Sequence, residues 1–88
     1  QMIDEKYKVR RYIAEYSEET EDLVAEHELL DFELDAFKKE FDEANPDQPM
    51  FGCYPVLAAN TDFLNPLLVK PISWDFDKSS YFVEAHAI

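Results

Sequence analysis

Tyr81 to Ala87 alternates residue by residue. Tyr81, Val83 and Ala85 share one parity, and Phe82, Glu84 and His86 share the other. Successive side chains of a strand point to opposite faces, so this spacing predicts a strand with one apolar and one mixed face. Such a strand needs partners. Tyr7 to Tyr16 reads as a second, rich in β-branched and aromatic residues. Tyr7, Val9 and Ile13 fall on one side, and Lys8, Arg10, Tyr12 and Tyr16 on the other. Arg11 interrupts the apolar side, which predicts a bulge or an edge position. Phe51 to Ala58 reads as a third, with Tyr54, Val56 and Ala58 opposed to Cys53, Pro55 and Leu57. Pro55 cannot donate a ladder hydrogen bond, so a bulge or an edge is expected there too.

The middle of the chain reads two ways. After the polar break Ser17–Thr20, residues 21–41 hold no Gly or Pro. Leu23, Leu30, Leu34, Phe37 and Phe41 can form one helical stripe. Alternatively, Val24 to Leu30 is a short strand and a helix begins near Asp31, with Asp31 as N-cap and Lys38 and Lys39 in its later turns. Propensity alone slightly favours the single long helix. Asn45–Pro49 ends the helix either way. Asn60 to Pro66 reads as a connection, Leu67 to Pro71 as extended, Ile72–Trp74–Phe76 as alternating, and residues 77–80 as a turn. With Tyr54, Val56, Tyr81 and Val83 under the helix, the economical architecture is an antiparallel sheet with one covered face. Its open face then exposes Phe82, Cys53, Tyr12 and Tyr16, an aromatic grouping of the kind that marks interfaces.

Eighty-eight residues make one domain, 1–88, with residues 1–6 expected to be disordered or left over from cloning. Eight basic and twenty acidic side chains give a net charge of −12. That sign argues against nucleic acid or an anionic membrane as a direct partner. From Glu15 to Asp47 there are fourteen acids and two bases, Lys38 and Lys39; the rest of the chain is balanced, six against six. One contiguous third therefore carries the whole net charge. It is either a solvated face or a docking surface for a strongly basic partner, which would be steered in. No basic-then-apolar leader opens the chain, and no apolar stretch is long enough to span a bilayer, so the expected compartment is the cytoplasm.

Catalytic chemistry is hard to assemble from these residues. The single glycine, Gly52, excludes a Gly-rich phosphate loop, and the single cysteine excludes a disulfide framework. Cys53 with His27 or His86 can be drawn as a thiolate pair, but the negative field raises a thiol pKa. Glu26–His27–Glu28 does not converge on a metal, because adjacent side chains diverge in strand and helix alike. Trp74 and the phenylalanines read as core. No enzyme activity, cofactor or metal is expected.

Gly52-Cys53-Tyr54-Pro55-Val56-Leu57-Ala58, then Leu64 and Pro66, then Ile72, then Tyr81-Phe82-Val83 resembles the cloacin immunity family. These are the small acidic proteins that neutralise cloacin and the ribosome-cleaving colicins. Thr20-Glu21-Asp22, with Glu26 following, is similar to that family's first loop and second strand. The resemblance spans roughly residues 7–85. It implies an α+β fold: a four-stranded antiparallel sheet with one helix packed on one face and the other face open. It also favours the strand reading of residues 24–30. In that family the open face and first loop bind the toxin's basic nuclease domain. The toxin-contacting positions fall on Tyr16, Leu23, Glu26, Cys53 and Phe82; Glu19, Glu21 and Asp22 of the loop and Glu84 of the outward row complete the expected surface. Leu23 stands where an aromatic is usual and Pro55 where an acid is usual. The helix segment is longer, and the tail after Val83 is shorter and less acidic. The expectation is an immunity protein, monomeric or weakly dimeric when free, that binds and neutralises a bacterial ribonuclease toxin. The alternative is an adaptor that binds a basic non-nuclease protein, or that dimerises through the open sheet.

Overall fold

The strand with the most neighbours is the one with an arginine in its apolar row. In the computed structural model, which describes residues 2–88, β2 (Val9–Ser17) is hydrogen-bonded on both sides. One side runs its full length along β5 (Ser79–Ala87), from Val9 opposite Ala87 to Ser17 opposite Ser79. The other side is shared end to end by two shorter strands. β1 (Met2–Asp4) pairs with Val9–Arg11, and β3 (Leu23–Glu28) pairs with Tyr12–Tyr16. β4 (Tyr54–Pro55) lies on the far side of β5. Among the described residues all pairings are antiparallel, and the fold is α+β with five strands and two short helices, α1 (Leu34–Glu40) and α2 (Thr61–Leu64).

Several expectations change. The sheet has five strands rather than four, because Met2–Asp4, expected to lie outside the fold, adds an edge strand. Asp4 accepts from the Arg11 guanidinium at 2.9 Å and 3.2 Å. Arg11 is therefore neither at an edge nor at a bulge; the register shift of β2 falls at Glu15/Tyr16. Its side chain, fully buried, also donates to the Met50 carbonyl at 2.8 Å and lies over the Phe32 ring at 4.2 Å. A buried cation with an anion, a carbonyl and an aromatic face around it is satisfied.

Residues 23–28 are a strand, and the helix starts later than Asp31. Glu33 is the N-cap, its carboxylate accepting from the Asp35 and Ala36 amides, while Asp31 accepts from the Phe32 amide. A second helix, with a single 3₁₀ turn on either side (Ala58–Asn60 and Asn65–Leu67), occupies the expected connection. The third strand shortens to two residues, and Ile72–Phe76 joins no sheet. Trp74 and Phe76 instead stack with parallel rings 5.9 Å apart beside Tyr81.

The core lies on one side of the sheet. Ile13, Tyr81 and Val83 meet Phe37 of α1, Leu64 of α2, and Leu29, Phe32, Met50, Val56, Leu68 and Ile72. Phe37 stacks on Phe32 at 4.1 Å and meets the edge of Phe63 at 5.0 Å. Leu34 and Phe41, one turn away on either side, pack partly against the same cluster. Everything of opposite parity on β2 and β5 is left on the side away from the helices.

Candidate functional site

On that opposite side, the pairing of β2 with β5 sets Tyr12 across from Glu84, Ala14 across from Phe82 and Tyr16 across from Ser80. Ala14 is small, so the large side chains at its flanks can lean together. Tyr16 and Phe82 meet edge to face at 5.8 Å. The Tyr16 hydroxyl donates to Glu84 Oε2 at 2.8 Å, and the Tyr12 hydroxyl donates to Oε1 at 3.2 Å. Cys53 precedes β4 and brings an exposed thiol beside the same carboxylate. One acid thus takes a hydrogen bond from each of two neutral tyrosines, with a thiol beside it.

The titration behaviour follows from that geometry. Tyr16 is pushed up to about 12, first by its hydrogen bond to Glu84 and then by burial. Tyr12 is pushed up to about 12, first by burial and then by the Glu84 charge. The Cys53 thiol is also raised, by burial first and then by Glu84. A nucleophilic cysteine needs the opposite shift. These groups are arranged to hold a carboxylate still rather than to ionise.

The remainder of the surface is acidic and partly apolar. Tyr16, Ser17, Glu18, Glu21, Cys53, Ser80, Phe82 and Glu84 line a shallow, open depression of about 370 Å³. The β2–β3 loop at its rim is tied down locally. Ser17 Oγ accepts from the Glu19 and Thr20 amides, Thr20 Oγ1 accepts from the Asp22 amide, and Glu21 has a left-handed backbone at φ 64°. Glu26 of β3 binds Arg10 at 2.7 Å, and Arg10 covers the Tyr12 ring at 4.0 Å.

Of the residues expected to contact a partner, Tyr16, Cys53, Phe82 and Glu84 come together, with Glu21 on the same depression. Glu19 and Asp22 are exposed in the loop, and Leu23 is exposed opposite Tyr16. Glu26 lies on the same face but outside the depression, engaged with Arg10. Tyr12, expected to be exposed, is only 5% so, because Arg10 lies across its ring. Its role as a Glu84 donor was not expected, nor was the presence of Glu18 and Ser80; the cross-strand register that brings them in is a tertiary property. The acid-rich third does not form one patch. Glu18, Glu21 and Glu26 join Glu84 around the open face, while Glu33 caps α1, and Glu40 and Glu43 bind Asn60 and Tyr54 on the helical side.

Glu26–His27–Glu28 splits as strand geometry requires: Glu26 reaches Arg10, and His27 reaches Glu15 at 2.8 Å on the other face. Among the described residues, no three His, Cys, Asp or Glu side chains gather as a metal ion would need, and no helix is long and apolar enough to cross a membrane.

Residues 10–84 match the family model described as a domain of unknown function (DUF7683), and the chain belongs to that family. No curated protein and no solved structure matches it.

Proposed function

We propose that this member of the family is an immunity protein, a non-catalytic inhibitor that occupies the basic surface of a bacterial ribonuclease toxin. The observation that carries the reading is the Tyr12–Tyr16–Glu84 clamp with Phe82 and Cys53 beside it, on the sheet face that no helix covers. A carboxylate fixed by neutral donors keeps its full charge and cannot swing away, so it is preorganised for an arginine or lysine. The rings beside it supply the apolar, desolvated surroundings that make such a contact strong. Acids at the rim, Glu18, Glu19, Glu21 and Asp22, would steer a cationic protein toward the face. The resemblance of the Gly52–Ala58 and Tyr81–Val83 segments to the cloacin immunity family supports the same partner class. Inhibition would follow from occlusion: RNA phosphates and this face compete for the same lysines and arginines.

The direct test is titration calorimetry against a Lys-rich nuclease domain encoded beside this gene, with RNA cleavage followed in parallel. One-to-one binding that stops cleavage is expected. Phe82→Ala and Tyr16→Ala should each weaken binding by about 2 kcal/mol while leaving the circular dichroism unchanged. Unaltered affinity in both variants rules out this face, and uninhibited cleavage at saturation rules out the function.

A further inference from the structure

The chain's own two arginines are seated alike. Arg10 lies over the Tyr12 ring at 4.0 Å and donates to Glu26 at 2.7 Å. Arg11 lies over the Phe32 ring at 4.2 Å and donates to Asp4 at 2.9 Å and 3.2 Å. In both places an aromatic ring backs the cation and a carboxylate takes its N–H groups. The depression on the open face holds the same two parts without the cation. Phe82 and Tyr16, both half-buried, supply the rings, and Glu84 supplies the carboxylate. Arg10 is held by Glu26 and Arg11 by Asp4, while Lys78 lines a neighbouring hollow with Glu18 and Asp77. Among the described residues none that lines the depression is basic, and Glu18 and Glu21 bring two further acids to it.

We propose that this depression receives one arginine of the partner, in preference to lysine, with its guanidinium on Glu84 and against the Phe82 ring. The lone pairs left on the carboxylate make the choice. An ionised carboxylate offers about four lone-pair directions, two on each oxygen. Tyr16 uses one on Oε2 and Tyr12 one on Oε1, so each oxygen keeps a direction for a second donor. A guanidinium presents paired N–H groups that match two carboxylate oxygens and engages both at once. An ammonium is a compact point charge, more strongly hydrated, and meets the same pair less well. The Cys53 thiol beside Glu84 is a weak donor, which a charged N–H outcompetes. Phe82 and Tyr16 meet at an interplanar angle of 72°, forming a corner of two rings against which a flat cation can lie. Glu18 and Glu21 attract either cation and do not discriminate between them. The inference rests on the reading of this face as the contact for a cationic partner, and it names the residue that the partner contributes.

The test is an NMR titration of the whole protein at low salt with three probes: N-acetylarginine amide, N-acetyllysine amide and N-acetylcitrulline amide. The arginine probe should shift the Cys53, Phe82 and Glu84 amides and bind at least about fivefold more tightly than the lysine probe. Citrulline, close to arginine in shape but uncharged, should leave those amides unmoved. Glu84→Gln should abolish the arginine shifts. Tyr16→Phe keeps the ring but releases one carboxylate oxygen, and should bring the arginine and lysine affinities closer together. If Glu84→Gln does not fold, Tyr16→Phe and the wild-type comparison still decide. Equal affinity for lysine, a response to citrulline, arginine shifts that survive Glu84→Gln, an unchanged affinity ratio in Tyr16→Phe, or no shift at these amides each overturns the inference. The nuclease separates the two readings. A nuclease domain bound through Phe82, with lysine matching arginine in the titration, retains the immunity function and removes the arginine site. Arginine selectivity with cleavage uninhibited at saturation does the reverse.

Discussion

Glu84 receives a hydrogen bond on each oxygen, and both donors are tyrosines raised to about 12. Neutral donors orient the carboxylate without cancelling its charge, unlike an arginine partner. Glu84→Gln removes the acceptor charge, and the Tyr16 hydroxyl should fall back toward its ordinary value of 10.0, seen as an earlier tyrosinate absorbance rise in a pH titration. An unmoved Tyr16 would show that Glu84 does not govern it. The same shifts set a limit on alkaline stability. Tyr12, Tyr16 and Tyr54 all rise from 10.0 to about 12 in the fold. Above pH 10 the unfolded chain sheds these protons first and is favoured by doing so. The tyrosine contribution is therefore intact below pH 10 and is lost as pH rises toward 12. Urea melts across that window should show a falling midpoint, and Glu84→Gln should flatten the fall. On the other side of the sheet, Arg11→Ala leaves the Met50 carbonyl and the half-buried Asp4 without their partner. A loss of about 3 kcal/mol in urea unfolding is expected.

At the scale of the element, α1 shows how little of a helix is local. Its seven residues are too few to persist alone, and its cap and its core contact can be separated by mutation. Glu33→Ala removes the acceptor for two amides and should cost about 1 kcal/mol. Phe37→Ala removes the ring between Phe32, Phe41 and Phe63 and should cost about 4 kcal/mol. Similar losses from the two, compared by denaturant midpoints, would mean that α1 is held by its ends rather than by the core. The same distinction explains what could be read in advance. β5 was legible because both of its faces are decided by alternation: Tyr81 and Val83 buried, Phe82 and Glu84 facing away. The helical stripe of Leu34, Phe37 and Phe41 was legible for the same reason. Residues 23–28 were not, since Leu23, Val24 and Glu26 suit an exposed edge strand as well as a helix, and only pairing with β2 decides between them. Arg11 misled because charge in an apolar row reads as an edge; its anion and carbonyl come from Asp4 and Met50, seven and thirty-nine residues away. The clamp on Glu84 depends on the register of two strands separated by most of the chain, which no local pattern encodes.

For the molecule as a whole, the net charge of −12 has two consequences of opposite sign. Alone, the protein repels itself. The acids on the open face and those around the helices share one body whose Cα radius of gyration is 12.5 Å, comparable with the roughly 10 Å Debye length at 0.1 M salt. Added salt screens that repulsion, so the free protein should become more stable, with a higher thermal midpoint in sodium chloride. Bound to a cationic partner, the same charges attract, and salt should then slow association steeply in stopped-flow measurements. Changing Glu19, Glu21 and Asp22 together to lysine turns three rim charges around while leaving Tyr16, Phe82 and Glu84 in place. Association should slow by about tenfold or more and lose most of its salt dependence, with dissociation little changed, because rim charges act mainly on encounter. The two salt responses must diverge for the electrostatic account to hold. Stabilisation of the free protein by salt, together with association indifferent to it, would assign the acids to solvation alone and leave the aromatic face to bind without steering.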